Sequence, residues 1–453
     1  MDINSIKSIG TCANTLSSFV IVDANGTNYH HNVLSSQDTF LCFDIGALHQ
    51  TLSKADLPIP VKLIDLKSEF GLLNNIIDKQ AEFSWLKLSL NEMVLATKVD
   101  TVAPDASLWL HPCLESSTKH LANQSAEVAL RHANWLIQLW QKYHQTISIE
   151  QAFNRAHYSK LVSQISMQGI PVDVSAIKQV TAIEAPVARN LLSYVDGGRC
   201  YCPIVSFGAV TGRNTTSSSA YPLSIKSSYR KWFKPAKGRC FLHLDYHRAE
   251  IGIAAAESQD ENLLDLYLNG DPYLWLANQC TPVIELKKAK RLFIAFQYGA
   301  TPTKTFVRKM LLPERIIQHL YSIHQAHFKR YWSWTETVIE DACFDGCLTI
   351  SDGWRVGITP KSSVLSIVNF PIQAMGALIL RDVVHQLGEQ NILPIGLNHD
   401  AVLLECACEE ATELVHKTKI VMQDVSQNLL GIALKVSVDI GQSGQTLLEV
   451  LEK

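Results

Sequence analysis

The sequence predicts a multidomain protein that joins an α/β unit to a larger α+β unit. Three observations lead there. At 453 residues the chain exceeds one compact domain, and a 47% apolar composition is ample for two or three cores. Its first 110 residues alternate short apolar runs with turn residues, as layered strands and helices do. From Arg239 onward strand, helix and strand alternate again, with acids at the ends of apolar runs.

Taken in order, residues 18–22 and 39–43 read as strands, and 45–52 and 65–73 carry helical spacing. Helical pattern dominates 125–144, with Ala129, His132, Leu136, Leu139 and Trp140 on one face, and continues over 149–168. Gly169 and Pro171 end that helix, since both break it. A domain boundary is therefore placed near residue 150. Residues 174–210 are short and mixed in character. Beyond them come a strand at 241–244, helices at 263–280 and 285–298, a long aromatic helix at 313–342 and another helix at 371–387. A hairpin over 395–404 and a strand over 434–440 complete the reading.

A net charge of -3 argues against a protein that coats nucleic acid everywhere, but charge is distributed unevenly. Six basic residues, Arg230 and Lys231 among them, and no acid lie between Lys226 and Arg239, interleaved with Tyr229, Trp232 and Phe233. Seven more, including Lys287, lie between Lys287 and Lys309. Such stretches can neutralise phosphates; a solvated face is the plainer alternative for either alone. No run of about 18 apolar residues occurs, and the N-terminus lacks a basic start leading into an apolar core. Neither a membrane span nor a signal peptide is expected, which leaves a cytoplasmic location by default. Eleven cysteines stand singly or in close pairs, without the CxxC and histidine spacings of a structural zinc site.

Asp245 ends an apolar strand, and Asp400 follows His399 in a similar context about 155 residues downstream. A lone ionised carboxylate buried there would cost several kcal/mol, so each must be solvated, paired or bound to a cation. A tight turn explains either one separately. Together they suit two Mg²⁺ ions, hard cations that combine carboxylates with substrate phosphates. Two such ions about 4 Å apart activate an attacking oxygen and stabilise a leaving one. Between the acids, i, i+4, i+8 spacing puts Lys290, Ile294 and Tyr298 on one helical face. Lys290 can neutralise a triphosphate, while Tyr298 can meet a base or sugar. An amphipathic helix with a basic outer face does not explain why lysine and tyrosine share the less polar side.

With Thr211-Gly212-Arg213 before them and Asn369-Phe370-Pro371-Ile372-Gln373 among them, these segments follow the order and spacing of family A DNA polymerases, the bacterial polymerase I type. The chain resembles that family from Ile170 to about Gly441, and most closely its compact bacterial and phage members. The resemblance implies a right-hand fold of palm and fingers. It makes Asp245 and Asp400 the metal ligands, with the Tyr246 carbonyl beside them. It makes Lys290 the lysine that meets the incoming triphosphate and protonates pyrophosphate. Glu250 and Tyr298 match the gate that leaves no room for a 2′-hydroxyl. Arg213, Asn369, Gln373 and His399 match positions that contact the primer-template minor groove and primer end, and Tyr273 stands where many relatives carry a phosphate-binding histidine.

Departures accompany the match. Leu286 stands where the family often has arginine, leaving Lys287 or Lys288 to serve. Ile294 replaces a frequent ring, and Ala401 the usual acid after His-Asp. Residues 173–211 are far too few for the family's long helical thumb. The first half resembles, in outline, a ribonuclease H-like 3′-5′ exonuclease through Phe19–Asp23, Asp44 and residues 63–66. Its carboxylates are incomplete: Ala24 and Asn25 follow Asp23, and the late helix offers Ser125 and Asn134.

The expectation is thus a degenerate exonuclease-like domain at 1–150, a shortened thumb at 151–210, and palm and fingers at 211–453. The implied activity is template-directed DNA synthesis with two Mg²⁺ ions on primer-template DNA and dNTPs, without proofreading and with low processivity. A single-subunit RNA polymerase is one rival, against which Glu250 argues. A non-catalytic nucleic-acid-binding descendant of a polymerase is the other.

Overall fold

The computed structural model describes residues 144–451 apart from 180–183 and 217, together with 6–11, 19–23, 28–29, 39–42, 44–54, 59–73, 76–77, 133–134, 136–138 and 140–141. Most of the expected helix at 125–144, Ser125 included, lies outside the described residues.

The strand Arg239–Tyr246 buries Cys240, Phe241, Leu242 and Leu244, neighbours that point to opposite faces. A strand apolar on both faces belongs at the centre of a covered sheet. Here it is flanked by Ala401–Ala407 and Val436–Ile440, both antiparallel, with Gly396–Asn398 at the edge. That register sets Asp245 opposite Ala401 on one side and Ser437 on the other. The helices Ala249–Ser258, Val364–Glu389 and Ala411–Leu430 pack on one another, and Ala411–Leu430 lies against this sheet. Val364–Glu389 is long and apolar enough to cross a membrane, but 67% of its most apolar window is buried in the protein, so its hydropathy is that of a core helix. Pro371, where the sequence suggests a start, lies inside it.

Two expected helices are each divided. The stretch 263–280 breaks between Glu261–Asn269 and Pro272–Ala277, because Asp271 caps the second helix by accepting from the Tyr273 and Leu274 amides. The stretch 313–342 breaks at Phe328, between Glu314–His327 and Lys329–Asp345. Phe328 is fully buried there against Trp275 and Phe293, at ring separations of 5.0 and 5.9 Å. With Leu286–Gln297 these helices share one continuous hydrophobic core with the central sheet. Between 173 and 211 the described residues hold only two short helices, Val174–Lys178 and Ala185–Leu192, and two-residue strands.

The N-terminal sheet runs Asn28–Tyr29, Phe19–Asp23, Ile6–Thr11, Thr39–Cys42, Lys62–Asp65. The first three are antiparallel, and the last two run parallel to Ile6–Thr11. Ile6–Thr11 escapes the sequence reading because Lys7, Ser8 and Gly10 dilute its apolar pattern. Its presence makes Phe19–Asp23 the returning strand. Asp23 consequently pairs with Lys7, at the opposite end of the sheet, along the strand direction, from Asp65, which ends a strand running the other way. The helix Ile149–Gln168 packs on both this sheet unit and the large core, so the boundary expected near 150 falls at the start of a shared element.

Candidate active site

Asp245 is next to last on the central strand, and Asp400 occupies the turn between Gly396–Asn398 and Ala401–Ala407. His399 tightens that turn with φ 52°, a left-handed conformation uncommon outside glycine. The Asp400 carbonyl accepts from the Tyr246 amide at 3.4 Å, tying the turn to the central strand. The two carboxylates therefore meet. Burial first, then the charge and hydrogen bond of Asp400, push Asp245 up to about 7. Burial raises Asp400 as well, against the pull of Arg213 and His399. Such a pair attracts a hard cation. Among the described residues no third carboxylate, histidine or cysteine completes a metal-binding group with them. A cation would take its other oxygens from main chain, water and substrate. Tyr246 is suited to offer its carbonyl, since its side chain is buried and its hydroxyl donates to Met422 at 2.5 Å.

Four candidate residues join in one network beside this pair. Glu250 lies in the first turn of Ala249–Ser258 and Tyr298 caps the end of Leu286–Gln297. The Tyr298 hydroxyl donates to one Glu250 oxygen, and Arg213 donates to the other at 2.8 Å. Gln373 hydrogen-bonds Tyr298, whose pKa is raised by burial and then by Glu250. Asn369, one turn before Gln373, has a buried side-chain oxygen without a hydrogen-bond partner. His399 is exposed.

Arg213 is set by its glycine. Gly212 has φ 73°, and a Cβ there would meet Arg381 Nη1 and the Trp354 ring at 3.1 Å. Arg381 donates to the Gly212 carbonyl at 3.1 Å and to Asp352 at 2.5 Å, while the Trp354 indole donates to Val210 at 2.9 Å. Nothing in the sequence points to Arg381 or Trp354, which are remote from Gly212 along the chain.

On the other flank, Lys290 is exposed and its ammonium lies 5.5 Å from the centre of the Tyr273 ring. Arg248 lies 4.7 Å from the same ring and pairs with Asp271 at 2.5 Å. Sequence reading passes over Arg248; its one signal is a basic residue three positions beyond Asp245. His247 is held below its ordinary pKa by burial, then by Arg248 and Lys435, with Lys290 adding to them. Lys287 is exposed and Ile294 half-buried on the Lys290 helix. Arg230 and Lys231 are engaged internally, Arg230 donating to the Leu223 carbonyl at 2.8 Å and Lys231 pairing with Glu184 at 2.9 Å.

Fold and site together define a two-aspartate palm faced by a lysine-tyrosine helix. Residues 135–445, more than half the chain, match DNA polymerase family A, and the protein belongs to that family. It is 21% identical over 299 residues to DNA polymerase I of Borreliella burgdorferi, covering 59% of this chain and 32% of that protein. It thus spans about a third of the curated relative's length. The fold is similar to that of the POL domain of Pol1 from M. smegmatis, solved in complex with DNA primer-template and dNTP. The TM-score is 0.75 at 13% identity, over 96% of this chain and 95% of that one.

Proposed function

We propose that the protein is a template-directed DNA polymerase that adds dNTPs to a primer 3′-hydroxyl on primer-template DNA. The meeting of Asp245, on the central strand, with Asp400, in the turn that enters the neighbouring strand, next to the Glu250-Tyr298 contact and the Lys290 flank, carries this reading. The uncompensated carboxylate pair fits Mg²⁺, two ions in this reading, held by Asp245, Asp400 and the Tyr246 carbonyl. When bound, these ions make the primer hydroxyl more acidic and neutralise phosphate charge. The primer 3′-hydroxyl gives its proton to solvent water as its oxygen bonds to the α-phosphorus, the bond to the bridging oxygen breaks, and pyrophosphate leaves. Lys290 holds the triphosphate and gives the leaving group its proton; Lys287 adds positive charge along the same helix, and Tyr273 a hydroxyl. Glu250, Tyr298 and Ile294 shape the sugar pocket. Arg213, Asn369, Gln373 and His399 hold the primer-template, with Arg230 and Lys231 exchanging internal partners for backbone phosphates. Incorporation of labelled dNTP opposite a template, with Mg²⁺, tests the reading directly; a pure, folded chain that extends nothing would support the non-catalytic alternative.

Glu250→Ala is expected to raise the ratio of ribonucleotide to deoxynucleotide kcat/KM on the order of tenfold, since a pocket loses its exclusion of one hydroxyl. It should also lower extension overall, because Arg213 and Tyr298 lose their shared partner. An unchanged ratio would remove Glu250 from the sugar gate.

We further infer that the N-terminal sheet is a ribonuclease H-like, exonuclease-type unit without nuclease activity. Its three antiparallel and two parallel strands support the likeness. Lys67 pairs with Asp44 at 2.7 Å, so a protein cation answers that carboxylate. Asp65, pushed up to about 8 by burial and then by Asp44, accepts from the Ile45 and Lys67 amides. With short helices in place of a long thumb, grip on duplex DNA is reduced. One experiment covers both inferences: extension from matched and mispaired primers with a trap for released enzyme. Short products and an intact mispaired end are expected; excision of that end, or hundreds of nucleotides added per encounter, would refute the corresponding inference.

A further inference from the structure

The central strand carries a second set of reactive groups, on the face away from Asp245. Cys240 lies directly opposite Cys406 on Ala401–Ala407, and both thiols are buried, with their sulfurs 3.9 Å apart. Cys240 also hydrogen-bonds Cys408, which stands two residues beyond Cys406 on the same face and is partly exposed. We propose that these three thiols form a reversible oxidation site, in which a hydroperoxide attacks Cys408 and the oxidation ends as a disulfide between Cys240 and Cys406. None of this chemistry involves Asp245, Asp400 or a nucleotide.

The backbone is already spaced for that bond. The Cys408 amide donates to the Gly238 carbonyl at 3.0 Å, and ladder bonds recur at every second residue, which makes Cys240 and Cys406 a hydrogen-bonded pair. Opposed Cα atoms in such a pair are about 5.5 Å apart, within the range a disulfide spans. A link from Cys240 to Cys408 runs diagonally, over about 7–8 Å between Cα atoms, and forms only under strain. Access orders the thiols the other way. Burial holds Cys240 and Cys406 above their ordinary pKa, in the poorly nucleophilic protonated form, and shields them from solvent. Cys408 therefore meets the oxidant first. Its sulfur takes one peroxide oxygen and becomes a sulfenic acid, while the rest of the hydroperoxide leaves as an alcohol, or as water from hydrogen peroxide. Cys240 attacks that sulfur, and its proton leaves with the hydroxyl as water. Cys406 then displaces Cys408 from the strained link, which gives the bond between Cys240 and Cys406 and returns the Cys408 thiol. Two thiols and one hydroperoxide thus yield one disulfide, one alcohol and one water.

Equimolar hydrogen peroxide added to the reduced full chain, followed by alkylation and peptide mapping by mass spectrometry, tests the proposal. A crosslink between Cys240 and Cys406 that dithiothreitol reverses is expected, with a melting temperature raised by several degrees, because the bond ties distant parts of the chain together. Cys408→Ser, a change at a partly exposed position, should form the crosslink on the order of tenfold more slowly, since the buried pair loses its point of entry. Cys406→Ala should instead hold the link between Cys240 and Cys408. Conversion of Cys408 to sulfinic acid while Cys240 and Cys406 stay reduced would overturn the site, as would oxidation of the exposed Cys343 with all three thiols unchanged. Equal crosslinking rates in Cys408→Ser and the parent would remove Cys408 as the entry, and a Cys406→Ala protein without the diagonal link would remove the exchange step.

Discussion

Asp245→Asn is expected to lower primer extension on the order of a thousandfold while making the metal-free protein harder to melt. The loss follows from removing one of two carboxylates that would hold metal at the reacting phosphate, worth several kcal/mol of transition-state stabilisation at ~1.4 kcal/mol per tenfold. The gain has a separate origin. Burial and the neighbouring Asp400 charge raise Asp245 from 3.8 to about 7. Across that window the folded protein holds a proton that the unfolded chain has released. Folding stability contributed by this group therefore falls as pH rises from about 4 to about 7. Asparagine neither titrates nor repels Asp400, so in EDTA its melting temperature should exceed that of the parent at pH 7 and depend less on pH. Opposite signs for activity and stability are the mark of a functional group kept at a structural cost. A variant that extends primers within tenfold of the parent would take Asp245 out of the chemistry.

The site was more legible in the sequence than the surfaces that aim it. Asp245, Lys290 and Tyr298 declare themselves locally, as an acid ending an apolar strand and a lysine and tyrosine two helical turns apart, whereas Glu250 gains its role only from the resemblance to the family. Their meeting across the chain required only that two apolar strands pair, which their composition already favours. Arg248 was missed because its importance lies in sharing Tyr273 with Lys290, a contact between three separate elements. Arg381 and Trp354 were missed for the same reason, since they act on Gly212 from far along the chain. Helix breaks at Asp271 and Phe328 were likewise hidden, the first in a cap geometry and the second in aromatic packing. The N-terminal half was less legible, because one weakly patterned strand, Ile6–Thr11, decides which strand returns and so at which end of the sheet Asp23 lies.

Glu69→Ala should be the most damaging single change outside the site, at about 3–5 kcal/mol of unfolding free energy. Glu69 opens the helix Leu66–Leu73 with both oxygens on Arg155, at 2.7 Å each, and the two side chains are 1% and 4% exposed. Truncation leaves a guanidinium buried without its counter-charge, in a place water does not reach. The contrast within the same chain is Arg330–Glu261, at 62% and 85% exposure, where loss of either partner costs about 0–1 kcal/mol. Because Arg155 belongs to Ile149–Gln168, which packs on both the N-terminal sheet and the large core, the damage should not stay local. Urea unfolding is expected to show an earlier midpoint for the sheet unit and a lowered midpoint for the rest. Replacing both partners, Glu69→Leu with Arg155→Met, should be milder than Glu69→Ala alone, since the desolvation of both charges disappears with them. A double variant as unstable as the single one would mean instead that the bidentate pair is net stabilising, and that the joint between the two units depends on it.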